Sequence, residues 1–222
     1  MSAKSSYAKI LGIAVGVGAA VIIGIIAYGE MSKPPGGEIL ERPTVQWTVG
    51  NMLEPDTTLR YKISHINNNY QEILVTLNFV EKSNDKWRVQ IEVERADEKV
   101  TQEVLLSKQL LPVGSIPEHF ADTMKIIQSS LLWIVDYAAT PKYLAHGAVW
   151  GTITHGLQTK EVEIIAAEEV STSAGTFDSY ALSYNVMDKQ SKLWIVEDLP
   201  LPVKAEMYNA DGDLQFRFEL IA

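Results

Sequence analysis

The sequence predicts a mainly β (α+β) protein: a curved antiparallel sheet or unclosed β-barrel covered by one long helix, behind an N-terminal transmembrane helix. Three observations predict it. Residues 10–29, ILGIAVGVGAAVIIGIIAYG, carry no charge. From Thr44 onward the dominant hydrophobic period is two, the mark of strands with one buried and one wet face. One mid-chain stretch, residues 116–139, changes to helical spacing.

Taken in order, residues 1–9 form a short N-terminus holding Lys4 and Lys9. The twenty uncharged residues that follow span about 30 Å as a helix, the thickness of a bilayer's hydrocarbon core. Glu30, Lys33, Glu38 and Glu41 come after it. The basic flank is therefore N-terminal, which predicts a cytoplasmic N-terminus and an extracytoplasmic remainder at the cell membrane. A cleaved signal peptide is the rival, with Ala27-Tyr28-Gly29 as a small-x-small site. Its apolar region would be shorter, about 7–15 residues, so length favours a retained single-pass anchor. Gly12, Gly16, Ala20 and Gly24 recur every four residues, a small-residue stripe along which another membrane helix can pack.

Residues 30–43 contain Pro34-Pro35-Gly36-Gly37, which cannot continue a helix and reads as a tether. The domain proper is residues 44–222. Inward positions are Leu59, Tyr61 and Ile63; Ile73, Val75, Leu77 and Phe79; Trp87, Val89, Ile91 and Val93. Near the C-terminus come Tyr180, Leu182 and Tyr184, then Val203, Ala205 and Met207, then Leu214, Phe216, Phe218 and Leu220. One-sided burial implies antiparallel pairing, in a sheet of about nine or ten strands. Lys82-Ser83-Asn84-Asp85, Ala174-Gly175-Thr176, Met187-Asp188-Lys189-Gln190 and the Asp211-Gly212 step supply the turns. Ser115 and Glu118 have capping-box spacing. Phe120, Met124, Ile127, Leu131, Ile134, Val135 and Ala138 then follow a helical period up to Pro141. Asp122, Lys125 and Asp136 argue against a second membrane span, at about 2.5–3.5 kcal/mol per charge.

Composition excludes several chemistries. With no cysteine there is no disulfide framework, thiolate metal site or catalytic thiol. His65, His119, His146 and His155 show no metal-site spacing and read as surface or strand-end residues. No nucleophile elbow, Walker A or Rossmann glycine pattern is present. We therefore expect no enzyme, no metal and no cofactor. Setting aside Lys4 and Lys9 leaves 17 basic against 28 acidic residues. That balance argues against a nucleic-acid partner and against a broad electrostatic dock onto anionic lipid. Five Trp and nine Tyr supply core filling. They also furnish a candidate apolar cavity between sheet and helix, lined by Trp87, Phe120, Met124, Ile127, Leu131, Tyr180, Tyr184, Phe216 and Phe218.

The C-terminal stretch AGTFDSYALSYNV…SKLWIVEDLPLPVKAEMYNADGDLQFRFELIA, residues 174–222, resembles the DUF3108 and LolA/LolB-like group of extracytoplasmic β domains. It is also similar to uncharacterised membrane-anchored archaeal proteins. The resemblance implies an unclosed barrel wrapped around helical segments, with a concavity that takes acyl chains in the lipoprotein carriers. This chain departs from the carriers in having no lipobox Cys. The resulting expectation is a membrane-anchored extracytoplasmic module binding a lipid-like or apolar ligand. The alternative is an accessory subunit that packs against a membrane-protein partner through its transmembrane helix.

Overall fold

Alternating side chains become strands, and the strands lie in register. The computed structural model describes residues 45–96, 98–155 and 158–222, within the compact unit Pro43–Ala222. The predicted span at residues 10–29, its stripe and the linker lie outside the described residues. Among the described residues, no helix is long and apolar enough to cross a membrane.

A short ladder joins β1 (Gln46–Trp47) to β6 (Lys142–Tyr143). The other ten strands form one antiparallel sheet: β2 (Thr57–His65), β3 (Ile73–Ser83), β4 (Lys86–Arg95), β5 (Glu98–Ser107), β7 (Val149–His155), β8 (Gln158–Thr172), β9 (Gly175–Val186), β10 (Lys189–Ile195), β11 (Lys204–Tyr208) and β12 (Leu214–Leu220). Their order is β5-β4-β3-β2-β12-β11-β10-β9-β8-β7. The sheet is not closed, since β5 and β7 are its two edges. Register aligns the inward set: Tyr61 faces Val75, Val75 faces Val93, Ile63 faces Phe218, and Phe218 faces Ala205. All of these side chains are buried. Asn84 and Asp85, both at positive φ, make the tight β3–β4 turn, a backbone state in which Asn and Asp are enriched.

The chain leaves the sheet at one edge, β5, and re-enters at the other, β7. The segment between them must therefore cross the sheet, and its apolar side chains join those of the strands in one core. The expected continuous helix over 116–139 is corrected here. The strap contains α1 (Glu118–Ser129) and a single turn, α2 (Val135–Ala138). Two local causes end α1. The hydroxyls of Ser129 and Ser130 donate back to the carbonyls of Lys125 and Ile126, which competes with the helical ladder and bends it. The next residues, Leu131, Leu132, Ile134 and Val135, are all buried, and a straight helix cannot turn every one of them toward the same sheet. Tighter i→i−3 bonds carry the chain from Trp133 to Tyr137. The Ser115–Glu118 capping box also does not form. The N-cap is Pro117, with no side-chain cap, and Phe120 N–H donates to Pro117 O instead.

Candidate functional site

The apolar side chains chosen from the sequence come together. Trp87, Phe120, Met124, Ile127, Leu131, Tyr184, Phe216 and Phe218 belong to one core cluster, and Tyr180 packs at its margin. Phe120, Ile127 and Leu131 on the strap are fully buried. Opposite them Trp87 meets Phe79 edge-on at 5.7 Å. Toward the β9 side, Trp133 stacks on Tyr184 at 6.1 Å and leans on Tyr137 at 4.6 Å. Burial raises the Tyr184 hydroxyl above its usual range and pushes Tyr137 up to about 12.

The strap's attachment differs in kind from that of the strands. Among the described residues, the backbone hydrogen bonds of residues 114–137 are all local. Side chains alone tie this stretch to the sheet. Besides apolar packing, two side-chain hydrogen bonds among the described residues tie it to the sheet. Arg95 on β4 donates to Thr123 Oγ1 at 2.8 Å, and Ser129 Oγ lies 3.0 Å from His65 Nε2.

His65 is a strand-end residue, as expected, since it closes β2, but it is not a surface one. It is buried, because it continues the inward series 59, 61, 63; the alternation itself carried the signal. Asn67 N–H donates to its Nδ1 at 3.0 Å, which places the proton on Nε2, facing Ser129. Ser129 in turn donates to Lys125 O at 2.7 Å. No lone pair of His65 faces the serine hydroxyl, so the pair is a latch between β2 and α1 and not a base–nucleophile couple. Burial lowers the His65 pKa, consistent with a neutral ring.

A second feature lies where the chain enters the domain. Residues 48–53 turn against the β5 exit, and between them opens a cleft of about 380 Å³. The turn is pinned by Val49 N–H to Ala138 O at 3.0 Å and Gly50 N–H to Pro200 O at 2.8 Å. Gly50 sits at φ +75°, and a Cβ there would stand 3.2 Å from Lys108 O; both facts require glycine. Ser107 Oγ accepts from Gln109 N–H and Leu111 N–H and so shapes the opposite wall. Trp87 forms part of the lining, with Lys82 Nζ 5.4 Å above its ring. Beyond Trp87's membership of the core, nothing in the sequence pattern marked this cleft.

On the outer face, Trp194 donates to Glu168 Oε1 at 2.7 Å, with Lys192 and Lys204 over its ring. A groove beside it mixes Lys62, Lys204 and Arg217 with Glu72, Glu206 and Glu219, and Lys62 is paired to Glu219 at 2.9 Å. Among the described residues, no group of three or more His, Asp or Glu side chains is placed to hold a metal.

The DUF3108-like family model matches residues 53–220, which contain all ten strands of the large sheet. The chain belongs to the DUF3108-like family. The DUF3108 part of the sequence resemblance is thereby shown, over far more of the chain than residues 174–222. Among curated proteins none matches. Solved structures similar to the chain include three at 14% identity. They are MucB in complex with MucA(peri) (TM-score 0.41, covering 74% of this chain and 47% of that one), MucB (0.39, 77% and 54%), and the Pseudomonas aeruginosa MucA/MucB complex (0.38, 74% and 49%). The chain spans about half the length of these structures.

Proposed function

We propose that this DUF3108-like protein is a single-pass, membrane-anchored extracytoplasmic binding module for an apolar or lipid-like ligand. The observation that carries the reading is the strap. It lies on the apolar face of an open sheet and is held there by side chains, with no backbone ladder. An element attached in this way can be exchanged for another apolar occupant without breaking a strand pair. The uncharged run at residues 10–29 supports the anchor, and the basic Lys4 and Lys9 flank supports the orientation. The resemblance to LolA/LolB-like carriers points to acyl chains as the ligand class. In the His65–Ser129 latch the serine proton goes to Lys125 O and the His65 Nδ1 lone pair accepts from Asn67 N–H, which argues for binding over hydrolysis.

The test is native mass spectrometry of the Pro43–Ala222 unit, purified without detergent, before and after organic extraction. A co-purifying lipid-sized mass that disappears on extraction is expected. A clean mass that stays unchanged when lipids are offered would overturn the reading. The second reading, an accessory subunit of a membrane complex, rests on Gly12, Gly16, Ala20 and Gly24. It predicts that Gly16→Ile dissociates such a complex in cross-linking while ligand binding by the domain persists.

A further inference from the structure

We propose that the entry cleft between the 48–53 turn and the β5 exit binds the anionic head of a single-chain amphiphile, with Lys82 and Lys108 holding the head and Trp87, Leu53 and Met52 the start of the chain. The proposal rests on the binding-module reading and names a seat for its ligand outside the concave core.

The charge pattern of the cleft is the first reason. The chain is acidic overall, yet no carboxylate lines this cleft, while Lys82 and Lys108 both do. Neither lysine forms an ion pair among the described residues. The outer-face groove provides the contrast, since its three cations lie among three carboxylates. Two uncompensated ammonium groups on one concave surface attract an anion, and low-dielectric walls strengthen that attraction.

The second reason is the wall itself. Val49 and Trp87 are almost wholly buried, but they form part of the cleft lining. Met52 stands at positive φ and is 62% exposed. A flexible thioether lining the same cleft as an aromatic ring suits a chain of variable shape. The walls are also preformed: the Gly50 turn and the Ser107-organised turn are both fixed by backbone hydrogen bonds, so binding orders little. An anion with an apolar tail uses every one of these features, whereas a bare anion uses only the lysines.

Methionine methyl groups make the proposal testable in the full chain. Met52 lies in the cleft, Met124 is on the strap in the core, Met207 is buried in β11, and Met187 is exposed on the β9–β10 turn. The protein, carrying ¹³C-methyl methionine, is placed in phosphatidylcholine nanodiscs and titrated with dodecyl phosphate. The Met52 resonance is expected to shift saturably while Met187 and Met207 stay. Lys82→Gln or Lys108→Gln should each weaken the effect about five-fold, and the double variant roughly twenty-five-fold. Unchanged Met124 and Met207 signals verify that the variants are folded. Dodecyl maltoside and inorganic phosphate, which each lack one half of the ligand, should both leave Met52 in place.

A Met52 shift reproduced by phosphatidylglycerol in the disc assigns the anion to a membrane lipid headgroup. A shift seen only with dodecyl phosphate assigns it to a free amphiphile. A Met124 shift with Met52 silent overturns this site and leaves the binding-module reading standing. Silence of both methyls overturns both. A Met52 response that survives the double lysine variant also overturns the proposal.

Discussion

Phe120→Ala tests most sharply how the strap is held. The side chain has no exposed surface and sits in the first turn of α1. The stretch from 114 to 137 has no backbone bond to the sheet, so its seating depends on side chains such as this one. Truncation removes the buried ring and leaves a cavity that flanking strands in register cannot close. Changes of this kind cost about 3–5 kcal/mol. For a domain of this size each kcal/mol moves the midpoint by about 2–4 °C, so the expected fall in Tm is about 6–20 °C. The assay is urea and thermal unfolding of the Pro43–Ala222 unit, followed by tryptophan fluorescence. Gln128→Ala, on the exposed face of the same helix, is the control and should change stability by less than about 0.5 kcal/mol. A Phe120→Ala cost below about 1 kcal/mol would refute the claim that the strap is seated through these side chains.

Three further outcomes are expected. His65 has a pKa lowered below 6.5 by burial, so the unfolded chain binds the proton more readily; stability is fully present above about pH 6.5 and falls as pH drops through the folded value. Urea midpoints between pH 7 and 5 should show this fall in the parent and not in His65→Asn. Gly50→Ala places a Cβ against Lys108 O at φ +75° and should cost about 1–2 kcal/mol in urea unfolding, whereas Gly212→Ala, in the β11–β12 turn and against only the end of Met187, should meet less resistance from its neighbours. Tyr61→Phe removes the buried hydroxyl that donates to Pro202 O at 3.1 Å and should cost about 1–2 kcal/mol, because the carbonyl is left without that partner.

Much of the sheet was legible because its central strands bury one face. The inward series on β2, β3 and β4 agree with burial residue by residue, and so does that on β12 except at Leu214, which is half-buried. The Asn84-Asp85 and Asp211-Gly212 turns fall where turn chemistry put them. The edge strand β5 was not legible. Its Glu98, Lys99 and Glu103 are exposed, and only Val104 and Leu106 are buried, since an edge carries charge to discourage further pairing. β8 was hidden by a register shift between Ile164 and Ala166, which breaks the alternation in the middle of the strand. The strap's apolar positions were legible, but its break was not. Helical spacing does not reveal that two serines will bond backward, nor that a histidine on another strand will meet one of them. The entry cleft was invisible for a related reason. Its walls come from residues 48–53, from Lys82 and Trp87, from Lys108 and Gln109, and from Ala139 and Pro141, and no local pattern joins them.

Native-state hydrogen exchange of the Pro43–Ala222 unit, with and without an added single-chain lipid, tests the central claim most directly. The account predicts that amides of α1 and α2 exchange at a lower opening free energy than those of β2, β3 and β12. It further predicts that an apolar ligand changes protection in the strap while the sheet amides stay as they were. Strap and sheet amides that open together as one unit, with or without lipid, would contradict it.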